Sequence, residues 1–394
     1  MENIDKLFND TETAFALKSN AQLRKAYYLF KLIQSSGLVK IGAFLANMVI
    51  KLHLPFKWAI KKTVFSQFCG GITEDECIPV IEKMQTKSVG SVLDYSVEGQ
   101  ETEDQFDHVA DKIIDLIILS TKVDGMPLNV FKPTGVGRFE IYCKVTANEP
   151  LTEEEKTEWK NIVNRYDKIC KAAFDHNIPI MIDAEHSWMQ DSVDDLVEIL
   201  MEKYNKERAI VYGTLQMYRW DRMEYLKNLH QRAKEKDYHV GMKLVRGAYM
   251  EKERIRAEEK GYPSPICATK EDTDRNFNDA SLYMIQHIDK MAIFLGTHNE
   301  ESSLLLVKSM IENNLPKGDK RVFFSQLYGM SDHISYNLGA KGFCVAKYLP
   351  FGPIADVLPY LIRRTEENSS IAGQTSRELS LLTEEKNRRR NTKK

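Results

Sequence analysis

The sequence lacks the features that would assign it at once to a disulfide, metal or nucleotide-binding class. Its six cysteines are scattered, without a CxxC pair or metal-ligand spacing, which favours reduced thiols in a cytosol-like compartment over disulfides. No GxGxxG is present, so a dinucleotide would not be held as in a Rossmann fold. The net charge is only -2 over 394 residues, which excludes nucleic-acid binding through the charge of the whole chain.

Membrane spans and targeting segments are also missing from the sequence. Charged residues interrupt every long apolar run, so no stretch is predicted to cross a membrane. The start, MENIDKLFNDTETAF, lacks the basic and apolar regions of a secretion signal and the arginines of a mitochondrial presequence. Residues 37–65 mix apolar residues with lysines. This pattern predicts an amphipathic helical arm that packs on the main body, with contact to a membrane surface as the alternative.

The order of patterns along the chain predicts an α/β protein in three zones. Residues 1–85 are helical in pattern, and residues 373–394 form a charged segment that we expect to be a flexible tail. Between them, residues 86–372 alternate helical stretches with eight apolar runs: SVLDYSVEG, LNVFKPTG, IPIMIDAEH, AIVYGTLQMY, GMKLVRGAY, AIFLGTHN, VFFSQLYG and FCVAKYLPFG. Eight such units predict a (β/α)8 barrel preceded by an N-terminal helical arm.

Polar residues occur toward the C-terminal end of each of the eight runs. They are Asp94, Glu98, Lys132, Asp183, Glu185, Gln216, Lys243, Arg246, Thr297, His298, Gln326 and Tyr348. In a barrel the carboxyl ends of the strands meet on one face, which is where active sites lie. A single polar strand end carries no information, but polar groups at all eight ends indicate a site.

Three chemistries are compatible with these residues. The DAEH segment, Asp183 to His186, contains metal-ligand types, but it lacks HExxH or His-x-His spacing. A Schiff-base enzyme would use Lys132 or Lys243, and a lysine at a strand end permits this chemistry without specifying it. The third reading is a phosphate-bearing cofactor with a small acid as substrate. KLVRGAY favours it, because Lys243 and Arg246 supply cations and the following glycine allows close backbone approach.

A helical segment near the C-terminus places two arginines on one stripe. At helical spacing, Tyr360, Arg363, Arg364 and Glu367 lie on the same side of PYLIRRTEEN. The simpler interpretation is a solvated face, because charged helix faces usually point to water. The alternative is a clamp for a carboxylate or phosphate, which paired guanidinium groups suit.

KLVRGAY, read together with YLPFG and PYLIRRTEEN, resembles the proline dehydrogenase family. IDAE and THN support the resemblance, which covers roughly residues 85 to 370 in the family's order. It implies a distorted (β/α)8 barrel that binds FAD and oxidises L-proline to Δ1-pyrroline-5-carboxylate, the first step of proline catabolism. It also implies a membrane quinone as electron acceptor. No aldehyde dehydrogenase module follows, so we expect a monofunctional member. We expect it in a bacterial cytoplasm or peripherally on the inner membrane face.

The resemblance implies specific roles at matching positions. The catalytic residues would be Asp183 and Lys243. The residues around proline would be Lys132, Arg363 and Arg364 at its carboxylate, Glu367 near its nitrogen, and Tyr348, Tyr360, Leu327 and Tyr249 around its ring. The FAD contacts would be Asp183, Ala184, Lys243, Arg246, Gly247, Ala248, Thr297, His298 and, at the adenylate end, Lys270. No metal is implied.

Two positions depart from the family pattern, and two other functions stay open. Lys243 stands where many bacterial members have arginine, so a bidentate fork is lost while the charge is kept. Gly213 stands where some members have a glutamine that contacts the flavin. A hydroxyproline dehydrogenase is the nearest alternative function, although the bulky Tyr348 leaves less room for a ring hydroxyl. A catalytically silent barrel scaffold is the other.

Overall fold

The computed structural model describes residues 4–35, 37–39, 42, 44, 48, 61–95, 100–370 and 374–392, without the side chains of 363–370, 374 and 375. Eight strands form one sheet in the order β1-β8-β7-β6-β5-β4-β3-β2, and each pair with a defined register is parallel. The strands are β1 Gly90–Tyr95, β2 Asn129–Phe131, β3 Ile180–Ile182, β4 Val211–Gln216, β5 Val240–Val245, β6 Met291–Gly296, β7 Val322–Leu327 and β8 Val345–Phe351. The eight predicted strands and the (β/α)8 fold are confirmed.

Helices occupy most of the intervals between strands. The described α-helices are α1 Thr11–Ala14, α2 Asn20–Ile33, α3 Ser66–Phe68, α4 Glu74–Gln85, α5 Glu103–Ser120, α6 Pro133–Val136, α7 Phe139–Thr146, α8 Glu153–Asp175, α9 Ser187–Tyr204, α10 Arg222–Lys236, α11 Met250–Lys260, α12 Lys270–Gln286, α13 Glu300–Glu312, α14 Asp332–Ala340, α15 Ile354–Ser370 and α16 Gln374–Asn391. A 3-10 helix covers Ile4–Asn9 and a π-helical turn covers Lys61–Phe65.

The chain divides into two compact units. The larger unit, residues 99–324, contains β2 to β6 and α5 to α13. The other unit consists of residues 1–98 and 325–394, and it contains β1, β8, α1 to α4 and α14 to α16. Strand β7 begins in the larger unit and ends in the other.

Local sequence signals explain where the helices begin and why the strands are buried. Thr102 and Thr152 each form a capping box with the residue three positions later, which satisfies backbone N–H groups that a helix start leaves open. Strand β4 is buried at every position, as expected of a parallel strand covered on both faces.

The C-terminal segment differs from the predicted flexible tail. Residues Gln374–Asn391 form helix α16, and the side chains of Leu381 and Leu382 are fully buried in an apolar cluster with Phe30 and Phe68. The carboxylate of Glu385 is also buried and accepts hydrogen bonds from Thr11, Arg388 and Arg389. The prediction missed this packing because charged residues outnumber the apolar ones in the segment. Burial of the few apolar residues provides the free energy that orders it.

Part of the predicted basic arm lies outside the described residues. Positions 40–60 are described only at three isolated points, so the structure adds nothing on the arm's packing. Within the described ranges, no helix has both the length and the apolar character needed to cross a membrane.

Candidate active site

Strand register brings the first two predicted site residues side by side. In the parallel β2–β3 pair, Phe131 lies opposite Ile182, and the Asp183 N–H donates to the Phe131 carbonyl at 3.0 Å. The next residues on the two strands are therefore neighbours. The Lys132 Nζ lies 3.7 Å from the Asp183 Oδ2. We call this ion pair the first rung.

Lys243 joins this pair from strand β5. Its Nζ donates to the Asp183 Oδ1 at 2.6 Å. The exposed fractions of the three side chains are only 11% for Lys132, 14% for Asp183 and 9% for Lys243. The three side chains bring one carboxylate and two ammonium groups together in surroundings where charges are screened weakly. The arrangement therefore offers both signs of charge to a small polar ligand.

Two residues further along the same two loops, a second contact occurs that sequence reasoning missed. The Thr134 N–H donates to one Glu185 carboxylate oxygen at 3.0 Å, and the Thr134 hydroxyl donates to the other at 2.9 Å. Glu185 is buried. We call this contact the second rung. The sequence signal was available only as Glu185 at a strand end, because nothing local to Thr134 indicates its partner 51 residues away.

The backbone of Glu185 is held on both sides by buried glutamines. The Glu185 N–H donates to the Gln190 side-chain oxygen at 3.2 Å, and the Gln216 amide donates to the Glu185 carbonyl at 2.9 Å. Among the described residues, the Gln216 Oε1 has no hydrogen-bond partner although it is buried. A Cβ at Gly213 would instead lie 3.2 Å from Val197 on α9, so position 213 faces the helix layer and cannot replace Gln216.

Charged residues of helices α9 and α10 extend this hydrogen-bond network. Gln190 donates to Asp194, which accepts from Arg222 at 2.7 Å. Burial raises the pKa of Asp194 to about 6, against the lowering effect of Arg222. Burial also acts to raise the pKa of Asp221, but hydrogen bonds from Arg222 and Arg219 outweigh it and lower that pKa to about 2.

Arg246, which follows β5, forms a second centre. Its guanidinium donates to Asp274 at 2.7 Å, to the Thr297 hydroxyl at 2.8 Å and to the Ser302 hydroxyl at 3.0 Å. Lys270 also donates to Asp274. Burial acts to raise the pKa of Asp274, but the hydrogen bonds from these two cations lower it below its usual range. Two predicted cofactor residues, Arg246 and Lys270, thus meet at an aspartate that sequence reasoning did not name, and Thr297 joins them through Arg246.

Gly247 allows a close contact directly after Arg246. Its φ is +126°, and a Cβ there would lie 2.5 Å from the Tyr218 ring, so any side chain at this position would be strained and would clash. The predicted cofactor residue Ala248 follows and is exposed.

The remaining predicted residues of the larger unit are Tyr249, Ala184 and His298. Tyr249 packs against His186 at a ring distance of 4.5 Å, and His186 stacks on Trp188 at 4.3 Å. Ala184 is half-buried beside Asp183, and His298 is half-buried beside Thr297.

In the other unit, the residues predicted to surround the proline ring are all buried or partly buried. Tyr348 is buried on β8. Tyr360 is buried in the apolar cluster, against which Leu327 packs. Tyr360 is therefore not on a solvated stripe. Arg363, Arg364 and Glu367 lie on helix α15, but their side chains are outside the described part of the structure.

The donors around Arg246 suit the phosphate of a cofactor. A half-buried guanidinium beside two hydroxyls, with a second cation at Asp274, has the chemistry of a phosphate site. The unpartnered Gln216 oxygen can accept from a ring N–H. Across the described residues, no three His, Cys, Asp or Glu side chains could jointly hold a metal ion.

Comparisons with known proteins agree on one family. The proline dehydrogenase family model matches residues 77–377. The carbapenem antibiotics biosynthesis protein CarD of Pectobacterium carotovorum is 37% identical over 83% of this chain and 84% of its own length. Proline dehydrogenase 1 of Dictyostelium discoideum is 31% identical over 98% of this chain and 76% of its own length. Hydroxyproline dehydrogenase of Xenopus laevis is 30% identical over 95% of this chain and 88% of its own length.

A solved structure shares the fold. Proline utilization A from Bdellovibrio bacteriovorus matches with a TM-score of 0.77 at 21% identity. The match covers 94% of this chain and 42% of that chain, so this chain spans less than half the length of that protein.

Proposed function

This chain belongs to the proline dehydrogenase family, and we propose that it is an FAD-dependent proline dehydrogenase that oxidises L-proline to Δ1-pyrroline-5-carboxylate. The observation that carries the proposal is the buried Lys132–Asp183–Lys243 arrangement at the ends of β2, β3 and β5. It provides both an anionic and a cationic surface, which a zwitterionic amino acid requires.

The substrate carboxylate needs cations in a fixed geometry. The family resemblance gives this role to Arg363 and Arg364, with Lys132 as helper. Lys132 suits the task because its ammonium lies 3.7 Å from Asp183, at the carboxyl ends of β2 and β3. A cation at this position can orient the substrate, and orientation lowers the barrier to hydride loss.

The substrate nitrogen must lose a proton during the oxidation. Asp183 lies between two ammonium groups, and its carboxylate is one proposed contact for the substrate nitrogen. We assign no single general base, because Asp183 and Glu367 both remain candidates in the family pattern.

FAD, when bound, would accept the hydride that leaves the ring carbon next to the proline nitrogen. The electrons would then pass to a quinone. Residues Arg246, Lys270 and Thr297 would hold its phosphates and adenylate, and Lys243 and Gln216 would hold its ring system. Ala184, Gly247, Ala248 and His298 complete the proposed contacts.

An absorbance spectrum before and after anaerobic addition of L-proline tests the proposal. We expect a flavin spectrum that bleaches with proline. A flavin spectrum that proline does not change would contradict the substrate. If the protein is colourless and stays colourless after FAD is added, both the proposed cofactor and the proposed reaction are contradicted.

Hydroxyproline is the second candidate substrate, because a hydroxyproline dehydrogenase is among the relatives. The same experiment with trans-4-hydroxy-L-proline separates the two. Faster bleaching by proline supports the proposal, and faster bleaching by hydroxyproline would reverse the assignment.

A further inference from the structure

The two loops that carry Lys132 and Asp183 are joined twice, by contacts of different quality. The first rung, Lys132 to Asp183, is 3.7 Å long. The second rung consists of two hydrogen bonds, at 3.0 and 2.9 Å, from Thr134 to both oxygens of Glu185. The spacing is two residues on each loop. The two close hydrogen bonds of the second rung therefore constrain the two loops beside the longer contact.

Glu185 is suited to act as the fixed side of the second rung. Its N–H is bound to Gln190 and its carbonyl to Gln216, and both glutamines are at most 3% exposed. Glu185 is therefore held at its amide, its carbonyl and its carboxylate at once. In a buried network of this kind each group has a single satisfied position.

Thr134 is suited to act as the moving side. It lies two residues after Lys132, with Pro133 between them at the first position of helix α6. Proline restricts its own φ and the conformation of the residue before it. A shift of Thr134 is therefore transmitted to the backbone of Lys132 rather than absorbed by the loop.

From this geometry we infer that Glu185 and Thr134 are positioning residues, and that the second rung sets the place of the Lys132 ammonium relative to Asp183. The inference rests on the proposed function for the roles of Lys132 and Asp183. It assigns no contact with the substrate to either Thr134 or Glu185.

The test uses Thr134→Val, which removes the hydroxyl donor at nearly constant shape, with Thr134→Ser as the matched control that keeps it. The probe is cyclopentanecarboxylate, a proline-sized acid without the ring nitrogen, and its binding to the flavin-loaded protein is measured by calorimetry. We expect the Kd to rise about tenfold in Thr134→Val and to stay within about twofold in Thr134→Ser, because only the former removes the hydroxyl that donates to the buried Glu185 carboxylate. Flavin content should stay unchanged.

A double-mutant cycle shows whether the effect passes through Lys132. In a Lys132→Met background, Thr134→Val should cause no further loss of binding, since the group that it positions is absent. Equal losses in both backgrounds would overturn the inference. So would equal Kd values for Thr134→Val and the wild-type protein.

A crystal structure of Thr134→Val decides the point independently of substrate and function. A displaced Lys132 ammonium supports the inference, and an unchanged distance of 3.7 Å to Asp183 overturns it. If the wild-type protein binds neither proline nor the probe, the proposed function fails, and the crystal structure still tests the second rung.

Discussion

Asp332 and Asp183 each lie between two lysines, but at different distances. Asp332 lies between Lys18 at 2.8 Å and Lys347 at 2.7 Å, and Lys347 is fully buried. Asp183 also lies between two lysines, but one of its contacts is 3.7 Å long. Asp332 therefore has two close ion pairs in a buried position, which is the arrangement expected of a structural carboxylate.

The charge of Asp332 should matter for stability. Asp332→Asn leaves Lys18 and Lys347 without their shared counter-charge, so we expect a loss of about 3–5 kcal/mol in the free energy of unfolding at pH 7. Asp237→Asn, at an exposed pair with Lys290, is the matched control and should cost about 0–1 kcal/mol. Urea titration measures both, and equal losses would contradict the structural role.

The same variant should show a defined pH dependence. Burial alone would raise the pKa of Asp332, but Lys18 and Lys347 lower it below its ordinary value of 3.8. A lowered folded-state pKa means that the stabilisation is complete above the unfolded pKa and is lost as the pH falls through the folded pKa. The difference between the wild-type protein and Asp332→Asn should therefore shrink below about pH 4. A constant difference down to pH 2 would contradict this expectation.

Arg364 is expected to bind the substrate carboxylate. Arg364→Ala removes a charged, two-pronged donor worth about 1.5–3 kcal/mol, so the KM for proline should rise about 10- to 100-fold. Flavin should remain bound. Arg275→Ala, at an exposed arginine of α12, is the control. Loss of flavin with unchanged proline binding would show that the role of Arg364 is a different one.

At the scale of elements, helix α16 packs by a short apolar edge within a charged sequence. Leu381 and Leu382 are buried in the cluster that also contains residues of α2 and α15. Arg389 donates to the Phe15 and Lys18 carbonyls. The helix therefore satisfies backbone acceptors close to the end of α1 in addition to burying apolar surface.

Truncation of one α16 leucine tests this packing. Leu382→Ala should cost about 2–5 kcal/mol, because it leaves a cavity in a fully buried position. Glu384→Ala, exposed on the same helix, should change stability by at most about 0.5 kcal/mol. Differential scanning calorimetry of the two variants measures the contrast, and no difference between them would indicate a tail that does not pack.

At the scale of the whole molecule, the proposed reaction connects a water-soluble amino acid to a membrane quinone. We propose that the protein works in a bacterial cytoplasm and docks peripherally on the inner membrane face. The basic apolar segment around residues 40–62 is the proposed contact, because it is the one long stretch in which lysines and apolar residues are interleaved in this way.

Charge removal in that segment tests the docking. A variant with Lys40, Lys51 and Lys57 changed to Gln should bind anionic vesicles about a hundredfold more weakly, since each lysine contributes about 1 kcal/mol near such a surface. A control variant neutralises Lys227, Lys234 and Lys236, which are exposed on α10. Vesicle flotation with the flavin spectrum as a folding check is the measurement. Equal flotation of both variants would reject the idea.

The sequence by itself determined the elements and the family. Apolar runs and helical periodicity involve neighbouring residues, so the eight strands and the capping boxes at Thr102 and Thr152 follow from local chemistry. KLVRGAY and PYLIRRTEEN identified the family through the residues themselves. The residues Lys132, Asp183 and Lys243 could be proposed in advance, because strand ends of parallel sheets converge.

Only the tertiary structure decided which of these groups touch. It pairs Thr134 with Glu185, joins Arg246 and Lys270 through Asp274, and places Asp332 between two lysines. The sequence did not predict the packing of helix α16 for the same reason, because its burial depends on Phe30 and Phe68 elsewhere in the chain. Contacts between residues tens to hundreds of positions apart depend on register and packing, and local periodicity carries no information on either.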